Sequence, residues 1–179
     1  MIAKAIQFIS QFAREHFSPD NFNYAELGID NGVTFNQVAP MFHHACAVDI
    51  SADDHKYIRH NHNLKWFNLH TDEFIRDILP SENITFAVVF IDAWHEYTQV
   101  LKDFQGILPY VMDNGFIFLH DTYPANKDEL DPMICNDAYK AADYIRFNLN
   151  NRVEIVTLPS HHGLSIIRKA NRTLLWKKY

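Results

Sequence analysis

Asp92 and His95 follow one apolar run, in FAVVFIDAWHEY, and His120 and Asp121 follow another, in GFIFLHDT. Both places pair a carboxylate with an imidazole. Such groups move protons near neutral pH, with His95 or His120 as the candidate general base. Asp92 and Asp121 could also hold a divalent cation, because oxygen donors suit Mg2+ or a similar hard ion. A cation there would bind a hydroxyl and lower its pKa, preparing an oxygen nucleophile.

A third segment, YAELGIDNGVTF, carries Glu26, Gly28 and Gly32. It departs from the dinucleotide fingerprint Gly-x-Gly-x-x-Gly: an acid replaces the first glycine, and the last glycine lies one residue further on. Gly28 lets the chain turn sharply, and Gly32 lets a helix start close to a ligand. A carboxylate at Glu26 would repel a pyrophosphate and attract a cation or hydroxyl donors. The guest it suits is a nucleoside with a positively charged, phosphate-free tail, as in S-adenosylmethionine. Asp49, 21 residues beyond Gly28, could accept from ribose hydroxyls. Asp72 could accept from an adenine amino group. Singly, Asp49 could as well be a surface acid or helix cap, and Asp72 a first-turn helix acid favoured by the macrodipole.

These groups need elements that bring them together. Apolar runs at 24–27, 44–48, 64–68, 86–91, 115–119, 153–158 and 164–168 alternate with helical patterns at 2–17, 32–41, 52–61, 72–79, 96–110 and 136–150. The alternation predicts an α/β fold with buried parallel strands. Only PSHHG separates the last two runs, too short for a parallel crossover, so they form an antiparallel hairpin. Ligands bind at the carboxyl edge of such sheets. Adjacent strands lie about 5 Å apart, so groups leaving the fourth and fifth strands can converge.

In this order the residues resemble the class I S-adenosylmethionine-dependent methyltransferases, over about residues 20–170. That family has a Rossmann-like seven-stranded, mostly parallel sheet with a reversed C-terminal hairpin strand and helices on both faces. The segment beginning FIDAWHEY is similar to that of small-molecule O-methyltransferases whose fourth strand ends in Ile-Asp-Gly-Asp-His-x-Tyr, the macrocin and catechol O-methyltransferase type. The resemblance implies cofactor contacts from Glu26, Gly28, Gly32, Asp49 and Asp72, with Asp92 bordering the methionine moiety. It implies Asp92 and Asp121 as metal ligands. It supports His95 as base, where catechol O-methyltransferase has a lysine. Two positions depart from the pattern. Trp94 stands where the sugar-modifying relatives have a second Asp, and His120-Asp121 where metal enzymes have Asp-Asp or Asp-Asn. Imidazole is a poorer Mg2+ ligand than carboxylate, which leaves another metal, or none, open. The implied activity is methyl transfer to a hydroxyl of a small molecule. The alternative is a degenerate fold that keeps the adenosyl pocket without turnover.

The 179 residues fit one domain, with an N-terminal helix within 1–20 and a polar connection at 122–136 that could form a lid. Net charge is -6 with no basic stripe, which argues against a nucleic-acid partner. No apolar run is long enough to span a membrane. Cys46 and Cys135 have no framework or metal-knuckle spacing and read as reduced thiols, as in the cytoplasm. Among the histidines, His43 and His44 read as structural, His60 and His62 as an exposed helix end, and His161 and His162 as a turn that could touch substrate. Trp66 and Trp176 could serve a homo-oligomer interface or the core.

Overall fold

The computed structural model describes residues 1–59 and 63–170. His60, His62, Trp176 and the end of the expected 52–61 helix lie outside them. The strands are β1 (Tyr24–Leu27), β2 (Ala45–Asp49), β3 (Leu64–Asn68), β4 (Phe86–Ile91), β5 (Val111–His120), β6 (Val153–Leu158) and β7 (Leu164–Lys169). They form one seven-stranded sheet in the order β3-β2-β1-β4-β5-β7-β6. β1 to β5 pair in parallel, and β7 runs antiparallel to both β5 and β6. β6 therefore ends at the same edge as β1, β4 and β5, and the turn after it reaches that edge.

β1 and β4, at the centre, are buried at every position, as continuous apolar runs between two helix layers should be. Edge strand β6 alternates between buried or half-buried and exposed positions. On one face, Tyr24, Ala45, Ala47, Val88, Phe90 and Phe118 pack against α1 (Ile2–Arg14) and α2 (Val33–Val38). α1 turns Ala3, Ile6 and Ala13 inward, and Gln7 donates to the Gln37 carbonyl at 2.7 Å. The other face holds Leu27, Val48, Val89 and Ile117 against Phe74, Leu79, Phe104, Ile107, Ala141 and Ile145. Those come from a helix over residues 71–82, from α5 (Tyr97–Ile107) and from α6 (Tyr139–Asn148). Burying one such aromatic contributes on the order of 2–3 kcal/mol.

Several boundaries differ from the sequence pattern. The 71–82 helix consists of α3 (Thr71–Glu73), a π turn (Phe74–Ile78) and α4 (Leu79–Glu82). Pro80 lacks the N–H for the next α bond and crowds the preceding turn, and Leu79 N–H reaches back to the Phe74 carbonyl. Pro40 likewise ends α2 in a 3-10 turn, and residues 52–57 form a 3-10 rather than an α-helix. β5 starts at Val111 instead of residue 115 because it bulges: Phe86 pairs with Val111 but Val88 with Phe116. Asp113-Asn114-Gly115 reads as a turn in sequence and forms this bulge, with Asn114 at φ 66.

The β6–β7 turn is tightly fixed. Gly163 has φ +94, and a Cβ there would sit 2.2 Å from Tyr123 N. Gly163→Ala should lower stability by about 2 kcal/mol or more, roughly 5–10 °C in thermal unfolding. An unchanged melting temperature would mean that this turn and the 122–136 loop are not packed together.

Candidate active site

The loop after β1 is shaped by its neighbours. A Cβ at Gly28 would sit 2.3 Å from the Asp92 carbonyl oxygen and 2.6 Å from Ala93 Cα, so only glycine lets β1 and β4 end side by side. Asp92 N–H donates to Leu27 O at 2.8 Å, and Gly28 N–H to Val48 O at 2.9 Å. Gly32, at φ +68, abuts Asn36 and the Tyr57 carbonyl. Asp49 clamps the loop: Oδ2 accepts from Ile29 N at 2.7 Å, and Oδ1 accepts from Ser51 N at 2.8 Å.

Glu26 is buried at the end of β1, on the face it shares with Tyr24, whose hydroxyl donates to it. Burial raises its pKa well above the ordinary carboxyl value; the Tyr24 hydrogen bond opposes this and the nearby Asp92 charge adds to it. Without a ligand, the buried carboxyl is held towards its protonated form. Asp72 stands at the start of α3, where Gln99 Nε2 donates to Oδ1 at 3.1 Å and Lys102 pairs with Oδ2. Its pKa falls, chiefly through that lysine. Gln99 also donates to Asp103 at 2.9 Å, and Asp103 is raised to about 6 by burial.

Four side chains converge beyond β4 and β5. His120 Nδ1 lies 3.0 Å from Asp92 Oδ1 and 3.2 Å from Asp121 Oδ2. His95 Nε2 lies 3.1 Å from Asp121 Oδ2 and 3.8 Å from Asp92 Oδ1. His120 Nε2 meets the His161 carbonyl at 2.9 Å. A carbonyl oxygen can only accept, so Nε2 carries a proton, and the two carboxylates hold a second proton on Nδ1. The contacts therefore favour an imidazolium. Burial pulls its pKa down, but the bonds to Asp121 and Asp92 prevail and bring it to about 10. Burial pushes Asp92 up, but the His120 bond and the neighbouring His95 outweigh it, and its pKa falls. His95 is raised, first by Asp92, with burial opposing and Asp121 adding. One donor atom from each of Asp92, His95 and Asp121 lies within 4.8 Å of the others, a set able to hold a metal ion.

The sequence-derived residues thus fall into a loop group around Gly28 and a cluster around Asp121, in contact through Gly28 and Asp92. Asp72 stands apart, at the end of β3. Trp94 and Tyr123, 61% and 53% exposed, flank the cluster. The 122–136 loop folds back onto the β6–β7 turn, where Tyr123 N–H donates to His162 O at 2.8 Å. Sequence reasoning missed Tyr24 as the partner of Glu26, although strand alternation puts both on one face. It also missed Gln99 and Lys102 as partners of Asp72, which no local pattern signals. The groove lined by Phe35, Asn36, Pro40, Arg59, Asn63 and Leu64 opens at the N-terminal ends of β2 and β3, away from the cluster.

Residues 25–122 match the model of a family described as a methyltransferase domain. The match spans more than half of the chain, and the protein belongs to that family. Comparison with curated proteins finds no match. Among solved structures, the chain is similar to an O-methyltransferase from Bacillus cereus in complex with SAH, at 14% identity and TM-score 0.72, over 93% of this chain and 80% of that one. It is similar to the O-methyltransferase TomG from Streptomyces achromogenes in complex with SAM, at 10% identity and TM-score 0.69, over 94% and 80%. The N-methyltransferase NodS from Bradyrhizobium japonicum WM9 matches at 11% identity and TM-score 0.61, over 94% and 96%. At such identities the likeness is one of fold. No described helix is long and apolar enough to cross a membrane.

The raised pKa of His120 has a stability consequence. The group binds its proton more tightly folded than unfolded, so its contribution is complete below the ordinary value of 6.5 and lost as pH rises towards about 10. In metal-free protein, the melting-temperature gap between wild type and His120→Gln should be largest near about pH 6 and shrink up to about pH 10. A gap constant across that range would mean the ring is not an imidazolium.

Proposed function

We propose that the protein transfers a methyl group from S-adenosylmethionine to a hydroxyl of a small molecule. The observation that carries this reading is the contact of Gly28 with the Asp92 backbone, where a Cβ would come within 2.3 Å. It sets the loop assigned to the cofactor beside the acids and imidazoles assigned to the acceptor. The Bacillus and Streptomyces O-methyltransferases, in complex with SAH and SAM, support the same cofactor here.

Asp49 has lone pairs left after its loop contacts, and these accept from the ribose hydroxyls. Glu26 faces the cationic methionine end; an ammonium group there takes the place of the proton that burial favours. Gly28 and Gly32 leave room for the cofactor, Asp72 accepts from the adenine amino group, and Asp92 borders the methionine. His120 has both nitrogens engaged, so it does not serve as base; it balances Asp92 and Asp121. His95 takes the hydroxyl proton while the acceptor oxygen attacks the methyl carbon and the carbon–sulfur bond breaks, leaving a neutral thioether. Trp94 and Tyr123 offer an aromatic wall to the acceptor.

Asp92, His95 and Asp121 also fit a divalent ion, two oxygens and one imidazole suiting a first-row metal better than Mg2+. When bound, the ion would supply a Lewis acid for the hydroxyl, and His95 would serve as ligand rather than base. A second reading, an adenosyl-binding domain without turnover, is favoured by one observation: the His120 ring occupies both carboxylates, at 3.0 and 3.2 Å.

Thermal unfolding with S-adenosylmethionine, S-adenosylhomocysteine or NAD tests the cofactor. At a hundred times its Kd, either adenosyl compound should add about 2.7 kcal/mol, roughly 5–10 °C, and NAD nothing. No shift with the adenosyl compounds removes both readings. Asp49→Asn should weaken their binding about tenfold, through one lost charge-assisted hydrogen bond; unchanged affinity would take Asp49 out of the site. Release of S-adenosylhomocysteine is then followed over a panel of catechols and sugars, with divalent metal or chelator. Asp92→Asn with Asp121→Asn should abolish any metal-stimulated turnover. Full wild-type activity in chelator ends the metal reading, and binding without turnover on every acceptor favours the non-catalytic one.

A further inference from the structure

A second group of metal-ligating side chains meets where the 122–136 loop crosses the β6–β7 turn. Glu129, Cys135 and His162 each present one donor atom, and the three lie within 4.8 Å of one another. We propose that they bind a divalent metal ion of the zinc type, pinning the loop to the turn behind the Asp92–His95–His120–Asp121 cluster.

The donor set is the first argument. Thiolate, imidazole and carboxylate together suit zinc, and the set around Asp92 offers no thiolate. Glu129 Oε2 lies 3.1 Å from His162 Nδ1. Neighbouring donors around tetrahedral zinc are about 3.3–3.6 Å apart, given bonds of about 2.0–2.3 Å, so a small outward shift admits the ion. Three protein donors leave a fourth position for water.

The second argument is that the backbone places the donors independently of the side chains. Glu129 Oε2 is also fixed by Ala125 N–H at 2.9 Å. Cys135 N–H donates to Glu129 O at 3.0 Å, which returns the thiol over the carboxylate. His162, at φ 62, is held from the other side by Tyr123 N–H on its carbonyl at 2.8 Å. The access route fits as well: Cys135 is fully buried, while the His162 side chain is 43% exposed, so an ion enters past the imidazole.

A nucleophilic Cys–His–Glu arrangement does not fit these facts. The sulfur has no exposed surface, and burial, reinforced by the Asp121 and Glu129 carboxylates, pushes the thiol up to about 12. The Asp121 and Glu129 carboxylates beside the thiol favour a dication, whose binding releases the thiol proton. The site reaches the first cluster through Asp121: Cys135 Sγ lies 3.8 Å from Asp121 Oδ1, while Oδ2 of the same carboxylate faces His95 and His120. The proposal stands whether or not methyl transfer occurs.

The test titrates the full chain with Co2+ as a spectroscopic stand-in for Zn2+. One equivalent should give a thiolate-to-cobalt charge-transfer band in the near ultraviolet. Cys135→Ser should abolish the band, His162→Gln should weaken binding about tenfold or more, and Asp92→Asn should keep it. One equivalent of Zn2+ should raise the melting temperature of wild type more than that of His162→Gln. If Cys135→Ser does not fold, His162→Gln decides, since its side chain is partly in solvent. Absence of the band in wild type, or a band that His162→Gln leaves unaltered, overturns the proposal and leaves a surface ion pair beside a buried thiol.

Discussion

Asp92 and Asp121 leave adjacent parallel strands and face a common space, with carboxylates that would repel each other without a cation between them. The His120 imidazolium supplies that cation, 3.0 and 3.2 Å from the two acids. Its charge depends on a neighbour distant in sequence: the His161 carbonyl accepts from Nε2 at 2.9 Å and so keeps that nitrogen protonated. His161 can be there because β6 runs parallel to β5 and ends at the same edge, while β7 returns beside β5 with Leu164 opposite His120. The reversed strand therefore bears on the electrostatics of the cluster as well as on sheet closure.

The same balance bears on the occupants proposed for this edge. The His120 ring lies against both Asp92 and Asp121, and the divalent ion proposed for this site would supply the same positive charge. Glu26 follows a parallel logic one strand away. It is buried with Tyr24, whose hydroxyl donates to it, and burial raises its pKa; in the proposed function a cationic ligand group takes the place of its proton. On the proposed function, binding at this edge is largely an exchange of positive charge.

Much of the fold was legible from local pattern. The apolar run of β4, the Gly28 turn and the short PSHHG connection each carry their meaning within a few residues, because burial, absence of a Cβ and crossover length are local constraints. The β5 bulge was not legible: Asp113-Asn114-Gly115 reads as a turn, and only pairing with β4 makes it part of a strand. The π turn depends on how Pro80 is accommodated against the sheet. In the candidate site, Asp92, His95, His120 and Asp121 were visible as types at strand ends. Their hydrogen bonding was not, since it depends on which nitrogen meets which acceptor.

The sequence by itself determined an α/β sheet with a terminal hairpin, an acid and two glycines at the first strand end, and two acids and two imidazoles at the fourth and fifth. Each follows from spacing along the chain, which residue order alone fixes. Tertiary structure decided that both ring nitrogens of His120 meet acceptors, and that Asp49 clamps the glycine loop while Lys102 and Gln99 engage Asp72. It also decided that Glu129, Cys135 and His162 meet, although 27 residues separate Cys135 from His162. Hydrogen bonds and ligand sets depend on distances of a few ångströms between separate segments, and those distances exist only once the sheet has set which strand ends share an edge.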